Sequence, residues 1–339
     1  MWVADGVAAT RTGGGGYDPT IVAACAQGTI VTWMDGRDPG TFYDIYAQRL
    51  SILGTLGGAC TAWQFGLGEQ MDVVTGAFHS RSVAIGNTFQ TPYDTSPSVF
   101  MAVANEGSNT VSVLFADSTG NFGAKTDYGT GIKPYSVAIG DLNGDWRPDL
   151  AVANYLSNTV SVLLADSIGG FGPKTDFATG ASPFSVAIGD LNGGWHPDLA
   201  VANQGYNTVS VLLGNGDGTF GAKTDYTTGS YPYFVAIGDL NGDWKPDLAV
   251  ANRSSSTVSV LLGNGDGTFG AKTDFVTGSY PLSVAIGDLE GTRSLTWRRR
   301  TTTPAPARCR CCSATATGPS RPRRTSRRGP GPSPWRSGT

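Results

Sequence analysis

The sequence predicts an all-β chain, a β-propeller of four-stranded blades, and three observations carry that expectation. A 49-residue segment is repeated, so that Asp141 returns as Asp190, Asp239 and Asp288. Internal repetition at a fixed period is the mark of arrays built from one supersecondary unit. Each copy holds four short strand-like runs separated by Gly, Asn, Asp and Pro. The composition agrees: 48 Gly in 339 residues, 40% hydrophobic and only 15% charged, suits short strands and tight turns. Four antiparallel strands in about 49 residues make one blade. A parallel β-helix is the alternative, but its repeats are much shorter.

The strands follow in order. Val137-Ala-Ile139 forms the first run of the clearest copy and Leu150-Ala-Val-Ala153 the second. Thr159-Val-Ser-Val-Leu-Leu164 alternates as the third, and Lys174-Thr-Asp-Phe177 is the fourth. Asn215-Gly-Asp217-Gly and Asn264-Gly-Asp266-Gly lie between the third and fourth runs. Asn-Gly and Asp-Gly tolerate positive φ and so favour hairpin turns. The small residues of Ala-Val-Ala-Asn are expected in the core, where inner strands crowd the propeller axis. Four full copies and the start of a fifth, over residues 76–291, give about four blades plus a fragment, an incomplete ring.

Between the first and second runs lies a loop with side-chain oxygens at alternate positions. Asp141, Asn143, Asp145 and Asp149 fill positions 1, 3, 5 and 9. Such spacing lets a curling chain converge on one hard cation, and a backbone carbonyl at position 7, here of Arg147, adds a ligand. Gly144 permits the sharp turn. Oxygen donors without His or Cys select Ca2+ over zinc or copper. The alternative is an Asx-rich turn without an ion. Asp239, Asn241, Asp243, Lys245 and Asp247 repeat the full set. Asp190, Asn192 and Asp198 repeat it with Gly194 at position 5, which predicts a weaker site. The first copy, Ser82 to Asn87 followed by a longer loop through Asp94, lacks the spacing and is expected to be metal-free.

These loops, together with Phe-Gly at 122–123, 171–172, 220–221 and 269–270, resemble the FG-GAP repeat, also called the VCBS repeat, of integrin-α-like propellers. The resemblance covers about two-thirds of the chain. It implies a propeller with calcium in blade loops, usually seven blades, found in secreted or cell-surface proteins that act in adhesion or ligand binding. It implies a protein or carbohydrate ligand that the sequence does not identify, because near-identical repeats distinguish no single site. Self-association through exposed blade faces is expected of an unclosed ring. The alternatives are an accessory propeller domain of a secreted enzyme and a nonfunctional fragment.

Residues 1–75 read as a β-rich segment, a divergent blade in which Trp33-Met-Asp35 and Asp44-Ile-Tyr-Ala47 sit on packed strands. No basic and apolar leader opens the chain, so no signal peptide is expected. No run of about 18 apolar residues is long enough to span a membrane.

Residues 1–291 hold all 27 acidic and 12 basic residues, a net charge of −15, which fits cation binding and opposes nucleic acid. Residues 292–339 hold 12 Arg and no acidic residue. The genetic code explains that contrast. Val-Ser-Val-Leu-Leu-Gly-Asn-Gly-Asp-Gly-Thr-Phe, in GC-rich codons read one nucleotide later, gives the sequence at 309–320. Ser-Val-Ala-Ile-Gly-Asp, shifted likewise, gives Pro334 to Thr339. The tail is therefore expected to be a frameshifted, disordered product with a break between Leu289 and Leu295. Its Cys309-Arg-Cys311-Cys312 is then not a zinc site, nor its arginines a nucleic-acid arm. His79 and His196 sit in no catalytic constellation, and no nucleophile elbow or phosphate loop appears. No enzyme activity is expected.

Overall fold

A computed structural model describes residues 79–87, 99–117, 121–167 and 169–287, together with backbone strands at 16–24, 28–35, 44–52, 65–73 and 296–301. Every regular element among them is a strand, and the sheets follow one another along the chain. Strands β1 (Gly16–Ala24), β2 (Gly28–Asp35), β3 (Asp44–Ile52) and β4 (Phe65–Val73) pair in order as an antiparallel sheet, the segment expected to be β-rich.

Four repeat blades follow. Blade 1 holds β5 (Ser80–Asn87), β6 (Val99–Asn105), β7 (Thr110–Phe115) and β8 (Thr126–Gly129). Blade 2 holds β9 (Pro134–Gly140), β10 (Asp149–Asn154), β11 (Thr159–Leu163) and β12 (Thr175–Ala178). Blade 3 holds β13 (Pro183–Gly189), β14 (Asp198–Asn203), β15 (Thr208–Leu212) and β16 (Thr224–Thr227). Blade 4 holds β17 (Pro232–Gly238), β18 (Asp247–Asn252), β19 (Thr257–Leu261) and β20 (Thr273–Val276). β21 (Pro281–Gly287) opens a fifth.

The first strands of successive blades stand side by side. Val137 N–H donates to Ser82 Oγ at 3.3 Å, Val186 N–H to Ser136 Oγ at 3.2 Å and Val235 N–H to Ser185 Oγ at 3.3 Å. The glycine ending each first strand admits the isoleucine of the next blade. A Cβ at Gly189 would lie 3.2 Å from Ile237, and one at Gly238 would lie 3.0 Å from Ile286. The innermost strand is thus Ser-Val-Ala-Ile-Gly. The Ala-Val-Ala-Asn run lies one strand further out, which corrects its expected place beside the axis. Its burial is as expected, since β10, β14 and β18 are buried along their whole length. Their two faces pack against the neighbouring blades, so the cores are shared: Phe100, Ala102 and Val113 of blade 1 meet Val137, Leu150 and Val152 of blade 2. Burial of such apolar surface between blades is the main stabilising term of an array of this kind.

Strand β22 (Thr296–Thr301) pairs antiparallel with β21, Gly287 facing Thr296 and Pro281 facing Thr301. This is the register of β17 with β18, where Gly238 faces Asp247 and Pro232 faces Asn252. The expectation of a tail without strands is corrected at these six residues. β22 thus occupies the position of a second strand in the fifth blade. The rest of the tail, with Cys25 and Cys60, lies outside the described residues.

Candidate functional site

Each blade has two rims. The loop from first to second strand and the Phe-Gly hairpin from third to fourth lie at one. The turn from second to third strand and the link to the next blade lie at the other.

At the first rim the acidic loops of blades 2 and 4 fold alike. Asp141 Oδ1 accepts the N–H groups of Gly144 at 2.8 Å and Asp145 at 3.1 Å, and its Oδ2 accepts Trp146 N–H at 2.9 Å. Asn143 Oδ1 accepts Asp145 N–H at 3.0 Å, and Asp145 Oδ1 accepts Arg147 N–H at 2.9 Å. Asp239, Asn241 and Asp243 repeat these bonds onto Gly242, Asp243, Trp244 and Lys245. The side-chain oxygens at alternate positions thus do wind the loop, by holding its own amides. Gly144 has φ +75, as the sharp turn requires.

The ninth position does something different. Asp149 is fully buried and ties two segments together: Oδ2 accepts Leu142 N–H at 2.8 Å and Oδ1 accepts Ala165 N–H at 2.7 Å, beyond the third strand. Asp198 bonds Leu191 and Gly214, and Asp247 bonds Leu240 and Gly263, in the same way. Burial pushes the Asp149 carboxyl up to about 6; the two amides work against the rise, while the charges of Asp145 and Asp141 add to it. Asp198 and Asp247 are raised for the same leading reason.

In blade 3 Gly194 replaces the fifth-position carboxylate. Its N–H donates to Asn192 Oδ1 at 2.6 Å and to Asp190 Oδ1 at 3.1 Å, so the turn survives without that side chain. His196 is exposed, its ring lying over Gly216. The hairpin turn of the next blade buttresses each loop. Gly218 N–H donates to Leu142 O and Gly267 N–H to Leu191 O, both at 3.1 Å.

The donor set fits a hard divalent cation by its chemistry: two or three carboxylates, one amide oxygen and a main-chain carbonyl. Among the described residues, however, no three acidic, His or Cys side chains stand in a group that could hold a metal ion. The structure therefore brings the sequence-predicted residues into one loop without converging their carboxylates on one point.

The sequence reading missed position 6. Trp146, Trp195 and Trp244 all have positive φ, between 63 and 67, and Trp195 and Trp244 are 91% and 94% exposed. A bulky residue rarely takes that conformation. Nothing in the spacing of the side-chain oxygens signals it.

The second rim was also missed. The residue just after the second strand, position 22 when the repeat is counted from Pro134 and the other copies are aligned to it, is Glu106, Tyr155, Gln204 and Arg253 in blades 1 to 4. Each reaches the second residue of a first strand or the residue leading into the next blade. Glu106 Oε2 accepts from Arg81 Nε at 2.5 Å, and its Oε1 accepts from Lys133 Nζ at 3.0 Å and from Tyr135 Oη at 3.3 Å. Tyr155 stacks on Tyr135 with ring centroids 4.6 Å apart and donates to Gln204 Oε1 at 3.1 Å. Phe184 meets Tyr135 edge-on at 5.0 Å and Tyr233 at 3.8 Å. Arg253 lies over Tyr233 at 5.8 Å and over Tyr280 at 5.3 Å. An aromatic row therefore crosses blades 2 to 4.

Comparison with known proteins agrees with this architecture. The model of the FG-GAP-like repeat matches residues 141–193, 195–250 and 239–293. A protein of unknown function from Desulfotomaculum acetoxidans is similar at 17% identity and TM-score 0.53, over 79% of this chain and 72% of its own. A candidate 6-phosphogluconolactonase from Bacteroides uniformis is similar at 15% identity and TM-score 0.53, over 76% and 71%. At such identities the likeness concerns the fold. Among curated proteins none matches the chain.

Proposed function

From a chain of FG-GAP-like repeats arranged as propeller blades, we propose a calcium-stabilised binding module of an extracellular or cell-surface protein, acting in adhesion or ligand binding. One observation carries this reading: three successive blades present an oxygen-only Asp and Asn loop at the same rim, in which the first-position Asp and third-position Asn accept the same backbone amides. In blade 2 Asp141, Asn143, Asp145, Asp149 and the Arg147 carbonyl would hold the ion. In blade 4 Asp239, Asn241, Asp243, Asp247 and the Lys245 carbonyl would do so, and in blade 3 Asp190, Asn192 and Asp198. The ion supplies positive charge that neutralises carboxylates which otherwise repel one another. The acidic body and the outward placement of the loops support the same reading.

Equilibrium dialysis against radioactive calcium tests it. Sites of this type bind at roughly 10⁻⁴–10⁻³ M. The expected result is saturable binding in that range, with Asp145→Ala and Asp243→Ala each weakening or removing one site. No saturable uptake at millimolar calcium overturns the proposal.

A further inference from the structure

The four blades are nearly identical where they form strands and differ where they form the second rim. Positions 22 to 25 read Glu106-Gly-Ser-Asn, Tyr155-Leu-Ser-Asn, Gln204-Gly-Tyr-Asn and Arg253-Ser-Ser-Ser. The residues entering the next blade read Ile132-Lys, Ala181-Ser, Ser230-Tyr and Ser279-Tyr. The fold brings these two variable segments together. Tyr155 N–H bonds Lys133 O, Gln204 N–H bonds Ser182 O and Arg253 N–H bonds Tyr231 O. Variation with no role would scatter over all turns. Here much of it gathers with exposed apolar side chains: Ile132, Leu156, Tyr206, Tyr231, Phe234 and Tyr280 are all between 37% and 70% exposed, on this rim.

Carboxylate pairing is uneven along the rim. At its blade 1 end Arg81 and Lys133 share the one carboxylate of Glu106. At its blade 4 end Arg253 stacks on Tyr233 and Tyr280, and among the described residues no carboxylate pairs with it. A guanidinium that lies over two rings and has no carboxylate partner can offer its N–H groups to an anion. That a cation stands so on a body of net charge −15 marks it out.

We propose that this rim binds an acidic saccharide, with Arg253 anchoring a sugar carboxylate and the exposed faces of Tyr231 and Tyr280 stacking on the sugar rings. The chemistry selects the class. The carboxylate meets the Arg253 charge, which no carboxylate among the described residues meets, and the apolar C–H face of a sugar ring matches an exposed phenol ring. The row runs across several blades, which suits an extended ligand rather than a single small anion. The inference rests on the binding-module reading and names its ligand.

The test titrates the whole chain, in millimolar calcium, with oligogalacturonate and, separately, with a neutral oligosaccharide of equal length and with an oligoglutamate. Calorimetry reads affinity. The expected result is binding of oligogalacturonate, at least tenfold weaker in Arg253→Gln and only partly restored in Arg253→Lys, which returns the charge without the planar fork, with little binding of the other two probes. Lys272→Gln, which removes a cation beside the outermost strand β20 and away from this rim, serves as the control whose saccharide affinity changes least. Equal binding of the neutral sugar, binding of the peptide alone, no binding at all, or an Arg253→Gln variant that binds like the parent while melting at the same temperature each overturn the proposal. Saturable calcium uptake without saccharide binding overturns this inference and leaves the module reading in place.

Discussion

The two rims of the blades obey different rules. At the acidic rim three loops repeat the first, third and ninth residues and most of their hydrogen bonds, and blade 3 departs at Gly194. At the aromatic rim the same backbone turn carries Glu106, Tyr155, Gln204 and Arg253 in succession. Repetition is what a structural device needs, because each blade must close its own loop. Difference is what recognition needs, because a ligand is discriminated by unequal neighbours. The blade thus separates holding the fold from presenting a surface, and substitutions on the two rims should fail in different ways.

The largest expected effect distinguishes two aspartates of one loop. Asp247 is fully buried and accepts Leu240 N–H and Gly263 N–H, both at 2.8 Å. Asp247→Ala leaves both amides unpaired, and two charge-assisted bonds imply a loss of about 3–5 kcal/mol in calcium-free urea unfolding. Asp243→Ala, in an exposed turn, should cost within about 1 kcal/mol under the same conditions. Equal losses would erase the distinction between the ninth and fifth positions.

The next effect lies beneath the aromatic rim. Asn154 Nδ2 donates to Thr159 Oγ1 at 3.1 Å and Ser161 Oγ at 2.8 Å, while its Oδ1 accepts Gly131 N–H at 3.1 Å. Asn154→Ala should therefore cost about 2 kcal/mol, read by the same unfolding curve. Asn105, Asn203 and Asn252 make the corresponding bonds to the third strand, so this part of the aromatic rim is structural and repeats like the acidic one.

A pH titration sharpens the contrast further. Burial pushes the Glu106 carboxyl up, but the hydrogen bonds and charges of Arg81 and Lys133 outweigh it and hold the group below its ordinary 4.5. A depressed carboxylate contributes stability that is complete above the unfolded-state value and is lost as pH falls through the lower folded value. The parent should therefore lose more stability below pH 4.5 than Glu106→Gln does. Parallel pH profiles of the two proteins contradict the ion pairs.

The smallest effects concern single loop positions. Gly194→Asp should strengthen calcium binding in blade 3, with a slight shift of Asn192, whose Oδ1 lies 2.6 Å from the new Cβ. Unchanged calcium titration would remove position 5 from the ligand set. Trp244→Gly replaces an exposed residue at φ +66 and should change stability by less than about 1 kcal/mol.

The blades, their strand order and the acidic loops were legible because their signals are local. Alternation in Thr159–Leu163, Asp-Gly turns and side-chain oxygens two residues apart can each be read within a dozen residues. The aromatic row was not, because Tyr135, Phe184 and Tyr233 are 49 residues apart and meet only once blades stack. In sequence the variable turns look like tolerant loops. A comparison of the repeats with one another does find them, since position 22 changes chemical class in every copy. The place of Ser-Val-Ala-Ile-Gly as innermost strand was likewise hidden, for it depends on how Gly189 meets Ile237 in the neighbouring blade.

Thermal unfolding of the whole chain in millimolar calcium and in chelator tests most directly the claim that the acidic rim holds the fold by binding an ion. A ligand that binds only the folded state raises its stability by mass action. The account predicts a melting temperature several degrees higher with calcium, an increment reduced in Asp145→Ala and in Asp243→Ala and unchanged in Arg253→Gln. Superimposable curves with calcium and with chelator contradict it.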